Sequence, residues 1–221
     1  MKNGIVKITA ILMSLTLTAG AVLTGCNNGN TETESVVSAE ESQLKDKYEY
    51  VELDEDKVYF ADIDIKDYGK IIVKLDQKAA PISCANFVAL ANMGFYDGLT
   101  FHRIMKGFMM QGGNAEGTEK EGIAQTIKGE FSANGVENPL LHTRGAISMA
   151  RMNSPMDSAT SQFFIVHKTS THLDGNYACF GYVTDGMDVV DKICTEAEPT
   201  DNNGSIAKDK QPVINSIRIR T

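Results

Sequence analysis

The sequence lacks the residue patterns that several common enzyme classes require. It has no tryptophan and only four histidines in 221 residues, and the spacing of those histidines matches no zinc or iron motif. No G-x-S-x-G segment occurs, and Ser148 lies in "AISMA" without the required glycines. We therefore expect no metal site, no cofactor and no serine-hydrolase chemistry.

An excess of positive charge is also lacking. The chain carries a net charge of −8, and residues 27–56 alone hold ten acids against two lysines. The two lysines of the first 25 residues contribute +2 and residues 27–56 contribute −8. Residues 57–221 therefore carry only −2. A nearly neutral domain gives no support to nucleic-acid binding.

The N-terminus combines a basic start with a short hydrophobic run. Lys2 and Lys7 are followed by the apolar stretch Ile8–Leu23, which leads into small residues, as in a secretory signal rather than a membrane span. The next residues, "LTGC" at Leu23–Cys26, resemble the lipobox of bacterial lipoproteins, whose cysteine receives a diacylglyceryl group. The resemblance implies a signal peptide at 1–25, a lipidated Cys26 and a protein anchored to the extracytoplasmic face of a bacterial membrane.

Residues 26–56 are polar and acidic. The segment Asn27–Gln43 has few large apolar side chains, so it cannot bury enough surface to offset the entropy of ordering. We expect a disordered tether at 26–56, whose acids are repelled by an anionic membrane and hold the domain away from it. A spacer without that role is the open alternative.

Three further cysteines, Cys84, Cys179 and Cys194, form no C-x-x-C pair. Free cysteine often serves as a small core residue, and that is the prediction here. A disulfide between two of them is the alternative.

From Val58 onward the sequence reads as short strands and two helices. "VYFADIDIKDYGKIIVKLD" alternates apolar and polar residues on both sides of "KDYG", which predicts a hairpin. "APISCANFVALANMGF" predicts a helix that starts at Pro81 and is capped by Gly94, and "GMDVVDKICTEA" predicts a second helix. The apolar segments "GAISMA", "SQFFIV", "YACFGYV" and "PVINSIRIR" complete a pattern typical of an antiparallel barrel or sandwich.

Several of these segments carry a family resemblance. "GFYDGLTFHRIMKGFMMQGG", "GAISMAR", "SATSQFFIV", "LDGNYACFGYV" and "GMDVVDKI" resemble, in order and spacing, the cyclophilin-type peptidyl-prolyl isomerases. The resemblance implies a cyclophilin-like domain at 57–221, mainly β, built as a closed eight-stranded antiparallel barrel capped by two α-helices. It also implies an isomerase that accelerates rotation about Xaa-Pro peptide bonds.

That reaction explains a cation placed among apolar residues. Amide resonance opposes rotation with a barrier of about 18–20 kcal/mol, and no covalent bond has to be broken. A donor aimed at the prolyl nitrogen stabilises its developing lone pair, while an apolar cleft holds the ring and excludes water. The guanidinium is a permanently charged, planar donor, and the resemblance makes Arg103 of "FHRI" the catalytic residue.

The resemblance also assigns the substrate-binding residues. It implies a proline pocket of Phe108, Met109, Phe164 and Leu173, contacts to the substrate backbone from Gln111 and Gln162, and a substrate path along Ala150 and Arg151. His172 is placed at the rim, and Tyr177 is a further substrate-binding residue.

Three of these positions depart from the best-known members. Arg151 replaces an asparagine that is thought to act through its backbone, so the change should matter little for catalysis. His172 replaces a tryptophan of many eukaryotic members, which should weaken cyclosporin binding. Tyr177 replaces a histidine and keeps an aromatic wall with a polar tip. The acidic insert Ala115–Thr126 is interpreted as a surface loop.

The leading hypothesis is therefore a lipid-anchored, monomeric prolyl isomerase that assists the folding of exported proteins. Its partners would be proline-containing polypeptides and, through the lipid, the membrane. The alternative is a proline-peptide binding or chaperone module with little turnover. A solute-binding lipoprotein is less favoured, because such proteins usually need two α/β lobes and this chain is too short and too rich in strands.

Overall fold

A computed structural model of the protein describes residues 51–221. The predicted signal peptide, Cys26 and most of the predicted tether lie outside this range. Between residues 51 and 221 there is no helix with the length and apolar character needed to cross a membrane.

Residues 51–221 form eight strands in a single antiparallel sheet. The strands are β1 (Phe60–Ile65), β2 (Gly69–Leu75), β3 (Phe101–Met105), β4 (Met109–Gly112), β5 (Ala146–Met149), β6 (Phe163–Val166), β7 (Cys179–Asp185) and β8 (Ile214–Arg220). Their order in the sheet is β3-β4-β6-β5-β7-β2-β1-β8. The mainly-β prediction is confirmed.

The β1–β2 hairpin forms where alternation predicted it. Ala61, Ile63 and Ile65 are buried while the residues between them are partly exposed, so one face of β1 points into the core. The turn places Asp67 at φ 65° and Gly69 at φ 115°, both in the positive-φ region that tight hairpin turns use.

The predicted closure of the barrel is wrong. The sheet is curled but open, because β3 and β8 share no ladder in the part of the chain that the structure describes. The outer edge of β3 bonds instead to the segment 204–206: Ile104 N donates to Gly204 O at 2.8 Å, and Ile206 N donates to His102 O at 2.9 Å. These bonds satisfy the backbone groups of the edge, so no closing strand is needed there.

Two α-helices pack on the sheet, α1 (Pro81–Asn92) and α2 (Met187–Glu196). Helix α1 begins with Pro81 in its first turn and ends before Gly94, which has φ 74°, so both predicted boundary signals are confirmed. All nine residues from Ser83 to Ala91 are buried, so α1 is enclosed on every side, and it packs against β7 and β8.

The N-terminus of α1 is capped by a carboxylate distant in sequence. Glu130 is only 2% exposed, and its oxygens accept from the backbone N–H groups of Ile82 at 2.9 Å and Ser83 at 2.7 Å. The Ser83 hydroxyl donates to the same carboxylate at 2.7 Å. A negative charge at a helix N-terminus satisfies unpaired donors and interacts favourably with the helix dipole.

Replacing this carboxylate should destabilise the domain. In Glu130→Ala, two backbone N–H groups and a buried hydroxyl lose their acceptor, and we expect a loss of about 2–4 kcal/mol in the free energy of unfolding. Urea denaturation followed by circular dichroism measures it. The control is Glu137→Ala, an exposed acid on the same loop, which should change stability by less than about 0.5 kcal/mol. Equal stability of the two variants would refute a capping role for Glu130.

The core combines aromatic rings with small residues. Phe87 of α1 packs against Tyr96, Phe163 and Phe180, with ring centroids 5.1–5.4 Å apart. The cysteines Cys84, Cys179 and Cys194 are buried and free, which confirms their prediction as small core residues. Val51 and Leu53 also pack partly buried against this core, so packing begins before residue 57, the predicted start of the domain.

Candidate functional site

The β3–β4 hairpin places Arg103 and Gln111 opposite each other. The two residues are partners in the register of the strands, and Arg103 Nη1 donates to Gln111 Oε1 at 3.2 Å. Arg103 Nε donates to the carbonyl of Asn203 at 2.7 Å. Burial lowers the pKa of Arg103, against opposing effects of Tyr177 and Asp201, but an arginine in this setting remains charged at neutral pH.

Arg103 lines a cleft that encloses about 420 Å³ when its opening to solvent is included, and we call it the Arg103 cleft. The structure brings nine of the eleven predicted site residues to its walls: Arg103, Phe108, Met109, Gln111, Ala150, Arg151, Phe164, Leu173 and Tyr177. The other two, Gln162 and His172, lie beside it. Residues that are up to 74 positions apart in the sequence therefore meet at one place.

The deep part of the Arg103 cleft is apolar. Met109 on β4, Phe164 on β6 and Leu173 are all at most 6% exposed. Phe108 lies at the tip of the hairpin, and its ring centroid is 5.4 Å from that of the exposed His172. The cleft thus offers an apolar slot with a cation on one wall and an aromatic rim.

A row of hydrogen-bonded side-chain amides continues from Arg103 to one side of the apolar slot. Gln111 Nε2 donates to Gln162 Oε1 at 2.9 Å, and Gln162 Nε2 donates to Asn114 Oδ1 at 3.2 Å. Gln162 also lines an adjoining cleft together with Gln111 and Ala150. These groups can donate to and accept from an extended peptide backbone beside the apolar slot.

The Arg151 side chain has a structural role that was not predicted from the sequence. Its guanidinium lies 4.8 Å from the ring centroids of both Phe131 and Tyr177. It also donates to the carbonyl of Asn176 from Nε at 3.0 Å and from Nη2 at 2.8 Å. Arg151 therefore supports the Tyr177 wall of the cleft, and no local sequence signal indicates this contact.

An Asp–His–Ser chain, with its histidine and serine buried, lies behind the cleft. His142 Nδ1 is 2.9 Å from Asp174 Oδ1, its Nε2 is 3.1 Å from Ser148 Oγ, and its ring stacks on Phe164 at 6.0 Å. Burial lowers the pKa of His142, although the hydrogen bond to Asp174 opposes this, so the ring is neutral at pH 7. It then donates from Nδ1 to Asp174 and accepts from Ser148.

This chain resembles a hydrolase triad in geometry but not in access. Ser148 is 0% exposed and His142 is 1% exposed, so no substrate reaches the hydroxyl. The chain instead orients the ring that supports Phe164. Within residues 51–221, no group of three His, Cys, Asp or Glu side chains is arranged to hold a metal ion.

Comparisons with known proteins agree with this geometry. The family model described as cyclophilin type peptidyl-prolyl cis-trans isomerase/CLD matches residues 60–221. Peptidyl-prolyl cis-trans isomerase B of Bacillus subtilis is 48% identical over 124 residues, which cover 56% of this chain and 82% of that protein. A peptidyl-prolyl cis-trans isomerase of Acinetobacter baylyi is 44% identical over 161 residues, covering 69% of this chain and 81% of that protein.

A solved structure of the same family has a similar fold. It is the crystal structure of a cyclophilin type peptidyl-prolyl cis-trans isomerase from Cryptosporidium parvum in the presence of the dipeptide Ala-Pro. It is 28% identical to this chain, with a TM-score of 0.63, and the match covers 73% of this chain and 99% of that one. With the family model matching most of the sequence, the chain belongs to the cyclophilin-type peptidyl-prolyl cis-trans isomerase family.

Proposed function

We propose that this peptidyl-prolyl cis-trans isomerase uses Arg103 as its catalytic donor and acts on exported polypeptides outside the cell membrane. The observation that carries the catalytic part is the juxtaposition of the Arg103 guanidinium and an apolar slot in the Arg103 cleft. A proline ring in that slot would bring its nitrogen beside Arg103. The guanidinium would then stabilise the lone pair that develops as the amide twists.

The free hydrogen-bonding capacity of Arg103 supports this role. Nε donates to Asn203 O and Nη1 to Gln111 Oε1, whereas the contacts to Met105 and Met109 are made to thioether sulfur, a weak acceptor. The two oxygen contacts fix the plane of the guanidinium. The sulfur contacts leave N–H groups that a twisted amide nitrogen can compete for.

The substrate class is a proline-containing peptide. The Cryptosporidium parvum relative was crystallised in the presence of Ala-Pro, which supports such a ligand for the family's cleft. In this chain we assign the proline ring to the slot of Phe108, Met109, Phe164 and Leu173. The backbone before the proline would pass Ala150, Gln111 and Gln162.

A binding module with little turnover is the second candidate, and one experiment separates the two. Exchange spectroscopy of an Ala-Pro-containing peptide with a catalytic amount of the protein measures the cis–trans rate directly. The isomerase should raise the rate far above the uncatalysed exchange, which takes tens to hundreds of seconds. A binder would shift the peptide resonances at high protein concentration without raising that rate.

The proposed location depends on the N-terminal sequence. The apolar run Ile8–Leu23 and the "LTGC" that ends at Cys26 support export and lipid attachment. The active form that we propose is a tethered monomer. Exported chains that fold near the membrane would then be its substrates.

Cys26→Ser tests the anchor. We expect the variant to lose incorporation of labelled fatty acid and to move from the membrane fraction to the soluble fraction, because the thiol is the acceptor of the lipid. Ser38→Ala, a change in the predicted tether, should leave both properties unchanged. A wild-type protein that stays membrane-bound without incorporating label would refute lipidation at Cys26.

A further inference from the structure

Two methionines flank Arg103 at the end of the β3–β4 hairpin. Met105 and Met109 face each other in the strand register. Arg103 Nη2 is 3.3 Å from Met105 Sδ, and Arg103 Nη1 is 3.9 Å from Met109 Sδ. Met109 is 1% exposed, whereas Met105 is only partly buried, next to the exposed turn. Of the two methionines, Met105 is therefore the more accessible to a reagent in solution.

The guanidinium nitrogens differ in their partners. Nε has the Asn203 carbonyl and Nη1 has the Gln111 amide oxygen. Among residues 51–221, the hydrogen-bond partner of Nη2 is the Met105 thioether alone. Because thioether sulfur is a weak acceptor, Nη2 is held loosely compared with the other two nitrogens.

We propose that Met105 is an oxidative modification site and that its sulfoxide holds Arg103 away from the substrate, which switches the isomerase off. The inference rests on the proposed catalytic role of Arg103. The modification itself needs only a peroxide as oxidant and a partly exposed thioether. An enzyme outside the cell membrane, as proposed above, would meet such oxidants directly.

The chemical step is balanced with hydrogen peroxide. A lone pair of Met105 Sδ attacks one peroxide oxygen, the S–O bond forms and the O–O bond breaks. The second oxygen leaves as water after a proton transfer, so sulfur is oxidised by two electrons and the peroxide is reduced. Methionine sulfoxide reductases reverse the change, which makes it a switch rather than only a lesion.

Oxidation of Met105 to the sulfoxide gives Arg103 Nη2 a stronger hydrogen-bond acceptor. Its oxygen carries partial negative charge, and a hydrogen bond from a permanent cation to such an oxygen is stronger than one between neutral groups. The unbranched methionine side chain has three rotatable bonds, so the new oxygen can turn toward the guanidinium. Each of the three guanidinium nitrogens would then have an oxygen partner within the protein. The twisted prolyl nitrogen would have to displace one of them.

Two substitutions at Met105 separate oxidation from other effects. Met105→Leu keeps the volume but removes the sulfur, so the rate that this variant retains should stay within about twofold after peroxide treatment. Met105→Gln places an amide oxygen beside Nη2 and should lower the rate without any oxidant. Met156→Leu is the matched control, because Met156 is 40% exposed and lies outside the hairpin. It should remain as sensitive as the wild type.

The experiment uses the full-length protein in detergent micelles with limited hydrogen peroxide. Peptide mass spectrometry locates each added oxygen, and exchange spectroscopy gives the isomerisation rate of the same samples. We expect oxidation at Met105 to accompany a rate loss of at least about tenfold, since a misdirected donor forfeits transition-state stabilisation. Treatment with methionine sulfoxide reductase should restore the rate.

The outcomes distinguish this proposal from the proposed function. A wild type that loses activity while Met105 stays unoxidised, or a Met105→Leu variant that loses as much, would overturn the switch. Full oxidation of Met105 without a rate change would also overturn it, and Arg103 would keep its role if Arg103→Ala is inactive. Full activity of Arg103→Ala would instead remove the proposed function.

Discussion

Arg103→Ala should slow catalysed cis–trans exchange by about 10²–10³-fold, the range found when one preorganised donor is removed from a transition state. The variant keeps the apolar slot, so it should still bind a proline peptide. Its loss should therefore appear in kcat more than in KM, because the donor acts on the twisted amide rather than on the planar one. Exchange spectroscopy with a proline-containing peptide measures both.

Arg103→Lys is the informative companion. Lysine retains the charge but lacks the planar group that donates to Asn203 O and Gln111 Oε1 at the same time. If fixed geometry matters, the lysine variant should stay closer to alanine than to the wild type. Circular dichroism should show both variants folded, since Arg103 is not part of the core cluster. A folded Arg103→Ala with unchanged kcat would remove Arg103 from the mechanism.

Among the substitutions proposed for this protein, Phe87→Ala should cause the largest loss in the free energy of unfolding. The ring is 0% exposed and contacts Tyr96, Phe163 and Phe180, so its removal opens a cavity that α1 and the sheet enclose. A buried Phe→Ala change costs about 3–5 kcal/mol, a large part of the 5–15 kcal/mol that stabilises a typical domain. We expect the melting temperature to fall by roughly 6–20 °C.

The same chemical change at Phe60 serves as control. Phe60 is partly exposed on β1, where its ring lies 4.4 Å from the Arg220 guanidinium. Phe60→Ala should cost about 1 kcal/mol, mostly from the lost cation–π contact and some buried area. Thermal melts of the two variants followed by circular dichroism provide the comparison. Equal losses would mean that the aromatic cluster around Phe87 contributes nothing special to stability.

The local features of the fold were predictable because local physics controls them. Pro81 and Gly94 bound α1 since proline suits the first helical turn and glycine the left-handed position after the last. The β1–β2 hairpin was predictable because apolar and polar residues alternate on both sides of the turn segment "KDYG". The residues of the Arg103 cleft came from the family resemblance, because read alone Phe108 or Met109 would be interpreted as plain core.

Features that depend on distant contacts were missed. Glu130 caps a helix that starts 49 residues earlier, and nothing in its own neighbourhood indicates that role. Arg151 looked like a neutral replacement, yet its guanidinium lies between the rings of Phe131 and Tyr177. The sheet stays open at β3 because a segment a hundred residues further along the chain bonds to that edge in place of a closing strand.

The amino-acid sequence by itself determined the strand and helix content, the family and the identity of the one arginine proposed for catalysis. The strand and helix content follows from periodicity and turn residues, whereas the family and the arginine follow from the resemblance carried by motifs such as "FHRI". Only the tertiary structure decided which acceptors hold that arginine, and that one of them is the Met105 sulfur. The physical reason is that hydrogen bonds act over about 3 Å in space, and the folded chain alone sets which groups come within that distance.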